Sequence, residues 1–278
     1  MYSKLVTVIV CVRNGQKSIA RCIESILNND PHELIIVDGN STDKTVEVCK
    51  KYPVKIIFDQ GIGLGNARNI GLKKVKSQYV YYVGPDNLLE EDSISKLIQY
   101  MKKKNWIGVS PLIAIHEENK SYIGNSLNIY RKAKEYEGEK EIIGTPWLYQ
   151  TEILKLYSFN EKMNYSDDTE LCHRLRKDNH SIGISNIKSY EIGENNFPEL
   201  KLRWLNYGAS DSEYFRMFKK DWHIFQQINS LLSPLKKDFI KIVFSSRILI
   251  FQKIYILPFL LYITFVRYIG WIKAKKRF

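Results

Sequence analysis

Cysteine is scarce in this sequence. Only Cys11, Cys22, Cys49 and Cys172 occur in 278 residues, widely spaced and with no CxxC pair. That spacing speaks against a disulfide framework and a structural zinc site and fits a reducing compartment. A dinucleotide fingerprint is also missing. A GxGxxG pattern begun at Gly61 meets Asn66, and one begun at Gly63 meets Arg68. The glycine loop moreover follows the third predicted strand, not the first. No GxxxxGK[ST] loop is present for a triphosphate, no Ser/His/Asp or Cys/His grouping has recognisable local context, and no internal repeat recurs. A signal peptide is not expected, because Val6 to Val12 already reads as a core strand.

Acidic residues are nearly absent from the C-terminal segment. From Lys236 to Phe278 ten Lys and Arg stand against Asp238 alone, so the first 235 residues carry +3 of the net +12. The basic character belongs to the tail, which argues against a nucleic-acid surface on the main domain.

What is present is an alternation of strands and helices. Val6 to Val12 is a continuous apolar run, as in a strand buried on both faces of a parallel sheet. Leu34 to Val37, Val54 to Phe58 and Tyr79 to Val83 read as three more strands. The intervening segments recur at helical spacing (Ile19, Cys22, Ile23, Ile26, Leu27; Val46, Val48, Cys49; Asn66 to Lys76). Four strands alternating with helices within ninety residues predict a doubly wound α/β sheet. Beyond it, Asp92 to Lys104 is predicted helical, Trp106 to Ile115 and Ser121 to Gly124 as strands, and Arg131 to Lys140 as a charged mobile connection. Ile143 to Tyr149 is a further strand, a helix starts within Asn164 to Asp168, and Ile182 to Tyr190 forms one or two strands.

Every break in the first four strands leaves polar residues at the same sheet edge, where open α/β sheets hold ligands. These are Arg13 and Asn14 after strand one, Asp38 after strand two, Arg68 and Asn69 at the helix after strand three, and Asp86 after strand four. A carboxylate can accept from a base or ribose, an arginine can grip phosphate, and an aspartate can hold the metal that bridges phosphates. Each alone is also a turn or helix-cap residue, and Pro85-Asp86-Asn87 serves equally to turn the chain. Jointly they point to a nucleotide-diphosphate site.

The segments VTVIVCVRNGQ, IIVDGNSTDKT, GLGNARNIGLKKVKSQYVYYVGPDN and SDDTELCHRLRK, spread over residues 4 to 190, resemble in order and spacing the signatures of family 2 glycosyltransferases. The resemblance implies a GT-A fold, a mostly parallel central sheet with helices on both faces. It implies that Val12, Arg13, Asn14, Asp38, Gly65, Arg68, Asn69, Pro85 and Asp86 form the sugar-nucleotide site. Asp38 then contacts the base and Arg68 lies near the diphosphate. It implies Mg²⁺ or Mn²⁺ at an Asp-x-Asp motif, and a catalytic base in the acidic pair Asp167-Asp168, with Asp168 as the base. Such a carboxylate takes the acceptor hydroxyl's proton in an inverting transfer. Two departures stand out. The motif reads Gly84-Pro85-Asp86, leaving Asp86, with Asn87, as the metal candidates, and no histidine ligand follows Ile182 to Tyr190.

In the tail, Ile254 to Val266 is uncharged but short of the roughly 20 residues a spanning helix needs. Extending it takes in Lys253 or Arg267, which could snorkel, with Pro258 inside. Basic flanks and regular aromatics fit helices lying on an anionic cytoplasmic leaflet. The expectation is therefore a catalytic domain over 1–195, a helical connector over 196–235 and membrane-associating helices over 236–278. The activity implied is transfer from a nucleotide-diphospho sugar, of UDP type, to a lipid-linked or surface-glycan hydroxyl at the cytoplasmic face of the membrane. A catalytically silent glycan- or nucleotide-binding module is the alternative, suggested by the eroded metal motif. A nucleotidyltransferase is disfavoured, since Arg13-Asn14-Gly15 is too short for its basic glycine-rich first loop.

Overall fold

The computed structural model describes residues 2–161, 163 and 165–275. They form two compact units, Met1–Ile113 with Tyr136–Ile192, and Ala114–Glu135 with Gly193–Phe278.

The first unit is built on a mixed sheet in the order β3-β2-β1-β4-β8-β6-β9-β5, with β7 pairing β9. Its parallel block is β1 (Val6–Val12), β2 (Glu33–Asp38), β3 (Lys55–Phe58) and β4 (Tyr79–Val83). Strands β5 (Asn87–Leu89), β6 (Gly108–Ile115), β7 (Gly138–Glu139), β8 (Trp147–Gln150) and β9 (Ile182–Glu191) extend it, and β8 runs antiparallel to both β4 and β6. Helices α1 (Ile19–Leu27), α2 (Thr45–Cys49), α3 (Leu64–Leu72), α4 (Ser93–Lys104), α6 (Thr151–Tyr157) and α7 (Asp167–Lys177) belong to this unit. Alternate residues of β1 enter two separate cores. Val6, Val8, Val10 and Val12 pack with α1 and α4, while Ile9 packs with α3, α6 and α7. Two-sided burial is why β1 reads as an unbroken apolar run, each such side chain contributing about 1.5–3 kcal/mol.

The second unit contains α5 (Tyr122–Ala133), α8 (Phe197–Phe218), α9 (Ile224–Leu231) and α10 (Ser233–Leu235). A π-helical turn (Lys236–Ile240), α11 (Lys241–Val243) and the 26-residue α12 (Ile250–Lys275) complete it. Its core joins Ile123, Leu127 and Tyr130 of α5, Leu200 and Trp204 of α8, and Ile256, Phe259, Leu260 and Ile263 of α12. Helices α8 and α12 cross at two glycines. A Cβ on Gly208 would stand 1.9 Å from the Arg267 carbonyl oxygen, and one on Gly270 2.2 Å from that of Leu205. Only glycine permits so close a backbone approach.

Several expectations change. Ser121 to Gly124 is the start of α5, not a strand: the Ser121 hydroxyl accepts from the Gly124 N–H at 2.9 Å, a helix cap. Arg131 to Lys140 is not one loose connection, for it holds the end of α5 and strand β7. Strand β5, three residues long, has no periodic signal and was not anticipated. Residues 114–135 join the C-terminal helices, and 196–235 and 236–278 share one unit, because α5, α8 and α12 fill a single core. Helix α7 begins at Asp167; Asn164, named with its start, lies outside the described residues.

Candidate active site

The loops that leave β1 to β4 adjoin one another. Asn14 holds a left-handed backbone (φ 56°). Its N–H donates to the Ser41 hydroxyl at 2.9 Å, and its Oδ1 accepts from the Thr42 N–H at 2.8 Å. The Gly15 N–H donates to Thr45 Oγ1 at 2.8 Å, and the Lys44 N–H to Gln16 Oε1 at 3.0 Å. These crossed bonds tie the loop after β1 to the loop after β2 and leave Arg13 exposed. A Cβ on Gly15 would meet Val12 at 2.6 Å and Pro85 at 3.7 Å, so this loop also lies against the turn after β4.

Asp38 ends β2 and is 1% exposed. Its Oδ2 accepts from the Ser41 N–H at 2.9 Å, whereas Oδ1 is buried with no hydrogen-bond partner among the described residues. A buried, unpartnered carboxylate oxygen is costly and marks an acceptor held ready for a ligand donor. Asp59, at the end of β3, is buried beside it. The Asp59 Oδ1 accepts from the Gly61 N–H at 2.7 Å and lies 3.5 Å from where a Gly39 Cβ would stand. Asp59 carries the same signal as Asp38, an aspartate just past a strand at the same sheet edge, and stands outside the residues expected from the sequence.

After β4 the chain turns at Gly84–Asn87, with the Asn87 N–H donating to the Gly84 carbonyl at 3.0 Å. The Asn87 side chain, 4% exposed, folds back so that its Oδ1 accepts from the Gly84 N–H at 2.9 Å. It therefore serves the turn and begins β5, and Asp86 is the half-buried carboxylate presented there. A Cβ at position 84 would come 2.6 Å from Asn87 Oδ1 and 3.0 Å from Asp86 Oδ1. The glycine in place of an acidic residue is thus built into the turn.

The second half of the site centres on Arg68, 5% exposed on α3. Its Nη1 lies 2.5 Å from Asp167 Oδ2, and its Nη2 donates to Thr145 Oγ1 at 2.8 Å. The guanidinium lies 5.0 Å from the Trp147 ring centroid and 5.3 Å from that of Phe159, a cation–π cradle. Burial opposes its charge, and Asp167 and Asp168 more than restore it. The Asn69 side chain is also engaged: it donates to the Phe159 carbonyl and to Glu161 at 2.9 Å each, and accepts from the Phe159 N–H at 2.9 Å. Thr145, Trp147, Phe159 and Glu161 were invisible to motif reading, because they reach Arg68 and Asn69 only through tertiary packing.

Asp168 stands in the first turn of α7, where the helix dipole favours an acid. Its Oδ1 accepts from the Thr169 N–H at 2.7 Å, while Oδ2 faces Gly144, whose Cβ would lie 3.3 Å away. Burial pushes this carboxyl above the ordinary aspartate range, repulsion from Asp167 adds to the rise, and Arg68 opposes it. A carboxylate whose pKa is raised in this way is suited to accept a proton. Among the described residues no three His, Cys, Asp or Glu side chains gather as a metal cluster.

The sequence profile of the family described as Glycosyl transferase family 2 matches residues 7–159. The chain belongs to that family. The match takes in Asp38, Arg68 and Asp86 and ends before Asp167-Asp168. The poly(ribitol-phosphate) β-N-acetylglucosaminyltransferase TarP of Staphylococcus aureus is 38% identical over 112 residues, covering 37% of this chain and 34% of that protein. Alignments with the first three curated relatives cover 22%, 34% and 28% of their lengths, so the chain corresponds to only part of each. The mannosyltransferase PcManGT of Pyrobaculum calidifontis, solved with GDP-Man and Mn²⁺, superposes with TM-score 0.66 at 14% identity, covering 98% of this chain and 86% of that one. Residues 1–349 of S. aureus TarS with UDP-GlcNAc superpose with TM-score 0.54 at 18% identity, covering 98% and 90%. At such identities the likeness shows the GT-A fold and no more.

Proposed function

We propose that this chain is an inverting glycosyltransferase that takes a UDP sugar as donor. Its acceptor is a hydroxyl of a lipid-linked or surface glycan, of which polyol-phosphate polymers such as the one in the name of TarP are one class. The observation that carries this reading is Asp168 in the first turn of α7, whose Oδ1 accepts from the Thr169 N–H while its Oδ2 lies beside Gly144.

In the reaction, the acceptor hydroxyl gives its proton to Asp168 Oδ2 as its oxygen bonds to the anomeric carbon. The bond from that carbon to the diphosphate breaks on the opposite face, and the nucleoside diphosphate leaves with the electron pair. Asp38 Oδ1 accepts from the base, which supplies the missing partner. Asn14, Arg13 and Pro85 border the same edge, and Arg68 holds Asp167 in place beside Asp168.

The donor set fits a metal that arrives with its substrate. Asp86 offers a single carboxylate, which would hold Mg²⁺ or Mn²⁺ together with the phosphates of the donor. Such an ion would neutralise charge on the departing diphosphate. The second unit holds the membrane attachment, and the acceptor is met at the cytoplasmic face. Among the described residues one helix, Ile250–Ala274, is long and apolar enough to cross a bilayer.

Incubation with UDP-GlcNAc, Mn²⁺ and a polyol-phosphate polymer as acceptor is expected to release UDP, and Asp168→Asn to abolish the release while nucleotide binding persists. Asp38→Ala should weaken UDP binding by about 1–3 kcal/mol in calorimetry. Binding without any turnover, in parent and variant alike, would favour the silent binding module.

A further inference from the structure

We propose that the second unit attaches to an anionic lipid bilayer by two apolar faces, those of α9 and of the outer side of α12, and that α12 lies in the plane of the interface without crossing it. This mode rests on the membrane reading given above and is independent of the transfer chemistry.

Helix α12 is apolar on two opposite sides. Its inner side is the core face already described. On its outer side Ile250, Ile254, Leu261, Phe265 and Ile272 are 51–71% exposed. At 100° per residue these five fall within one narrow stripe, about 33 Å long at 1.5 Å per residue. No charged side chain interrupts it, and so large an apolar strip on a soluble surface marks an interaction site.

Helix α9 repeats the pattern without any inner face. None of its residues is buried. Ile224, Phe225, Ile228 and Leu231 occupy one side, all exposed, with Gln226, Gln227, Asn229 and Ser230 among the remaining positions. A helix with a strong apolar side that is not buried by any of the described residues is the signature of an interfacial helix. This helix lies within residues 196–235, expected from the sequence to be a helical connector.

The occupant is lipid and not another apolar protein face, because the chain between the two helices is positively charged. Lys236, Lys237, Lys241 and Arg247 are exposed there, and the one acid, Asp238, is fully buried. Anionic headgroups complement that charge.

Arg267 decides between lying flat and crossing. The sequence placed it at the edge of an apolar run, free to snorkel. In the structure it is 8% exposed within α12. It donates to Asp211 at 2.6 and 3.0 Å and to Asp238 at 2.8 Å. Asp238 also accepts from Tyr130 at 2.6 Å and Trp204 at 3.3 Å. Pulling α12 out to span a bilayer would strip the buried Asp238, and Asp211 beside it, of their arginine. With Gly208 and Gly270 locking α12 against α8, the network holds the inner side to the protein and leaves the outer stripe for lipid.

The test is flotation of the full chain with phosphatidylcholine vesicles, with and without phosphatidylglycerol. Binding is expected only to the anionic vesicles, weakened by salt and stripped by alkaline carbonate. Phe225→Glu with Ile228→Glu, and Leu261→Glu with Phe265→Glu, should each lower the partition coefficient by about tenfold or more. Lys241→Gln and Arg247→Gln, at exposed sites that leave the fold alone, should each lower it about fivefold. Circular dichroism checks that every variant is folded. Carbonate-resistant insertion, or α9 variants that float like the parent, would overturn the proposal. So would light scattering that shows a lipid-free dimer dissociated by these variants while flotation is unchanged. UDP release measured alongside separates the two readings: a chain that floats but releases no UDP keeps its attachment and loses its transferase assignment.

Discussion

Nη1 of Arg68 lies 2.5 Å from Oδ2 of Asp167, and both side chains are almost wholly buried. Arg68, expected near the diphosphate, is in the structure also the ion-pair partner of the acidic pair. Arg68→Met leaves Asp167 as a buried carboxylate without its partner, and urea unfolding should show a loss of about 3–5 kcal/mol. Asp167→Asn on top of it should restore part of that loss, giving a favourable coupling in the double-mutant cycle. Additive losses would show that the pair contributes nothing of its own.

Asp168 sets a pH dependence whose sign follows from its raised pKa. The folded state keeps this proton to higher pH than the unfolded chain, whose aspartates titrate near about 3.9. Between that value and the raised folded value the folded state binds more protons, so stability contributed by this group falls as pH rises. Asp168→Asn should remove that slope in urea midpoints measured across acid pH. Transfer should follow the deprotonated form, its acid limb lying above the ordinary carboxylate range. Removing Arg68, which lowers this pKa, should move the limb further up.

Gly84 has no room for a side chain. A Cβ there meets Asn87 Oδ1 at 2.6 Å, the atom that accepts from the Gly84 N–H. Gly84→Ala should cost about 1–3 kcal/mol by urea unfolding. Gly84→Asp, which writes the missing acid back into the motif, should lower and not raise Mn²⁺-dependent UDP affinity in calorimetry, because it displaces the turn that presents Asp86.

The crossing of α8 and α12 depends on Gly208 and Gly270. Gly208→Val drives a side chain into the Arg267 carbonyl, 1.9 Å from the Cβ position. Overpacking of a backbone contact should cost about 3 kcal/mol or more. Hydrogen exchange should locate the loss in α5, α8 and α12, while the amides of β1, β2 and β4 stay protected.

Much of the first unit was legible in order. Strands β1, β2 and β4 are buried on both faces, so apolar runs announced them, and the polar residues that end them fell at one edge by topology alone. Asp38 and Asp86 followed from that placement. Strand β5 and helix α5 were not legible. The first is too short for any period, and the second carries polar Asn125 and Asn128 among its apolar positions, so its opening reads like a turn.

The sequence alone sufficed for the parallel block of the sheet, the polar residues at its edge and the family, because these rest on local runs and on loops whose position follows from strand order. Tertiary structure decided what each side chain does there. Arg68 and Asn69 stand side by side on α3, yet their partners lie 77 to 99 residues away, and no local pattern encodes them. It decided Arg267 in the same way. A basic residue beside an apolar run looks like a snorkelling anchor until Asp211 and Asp238 are found to enclose it.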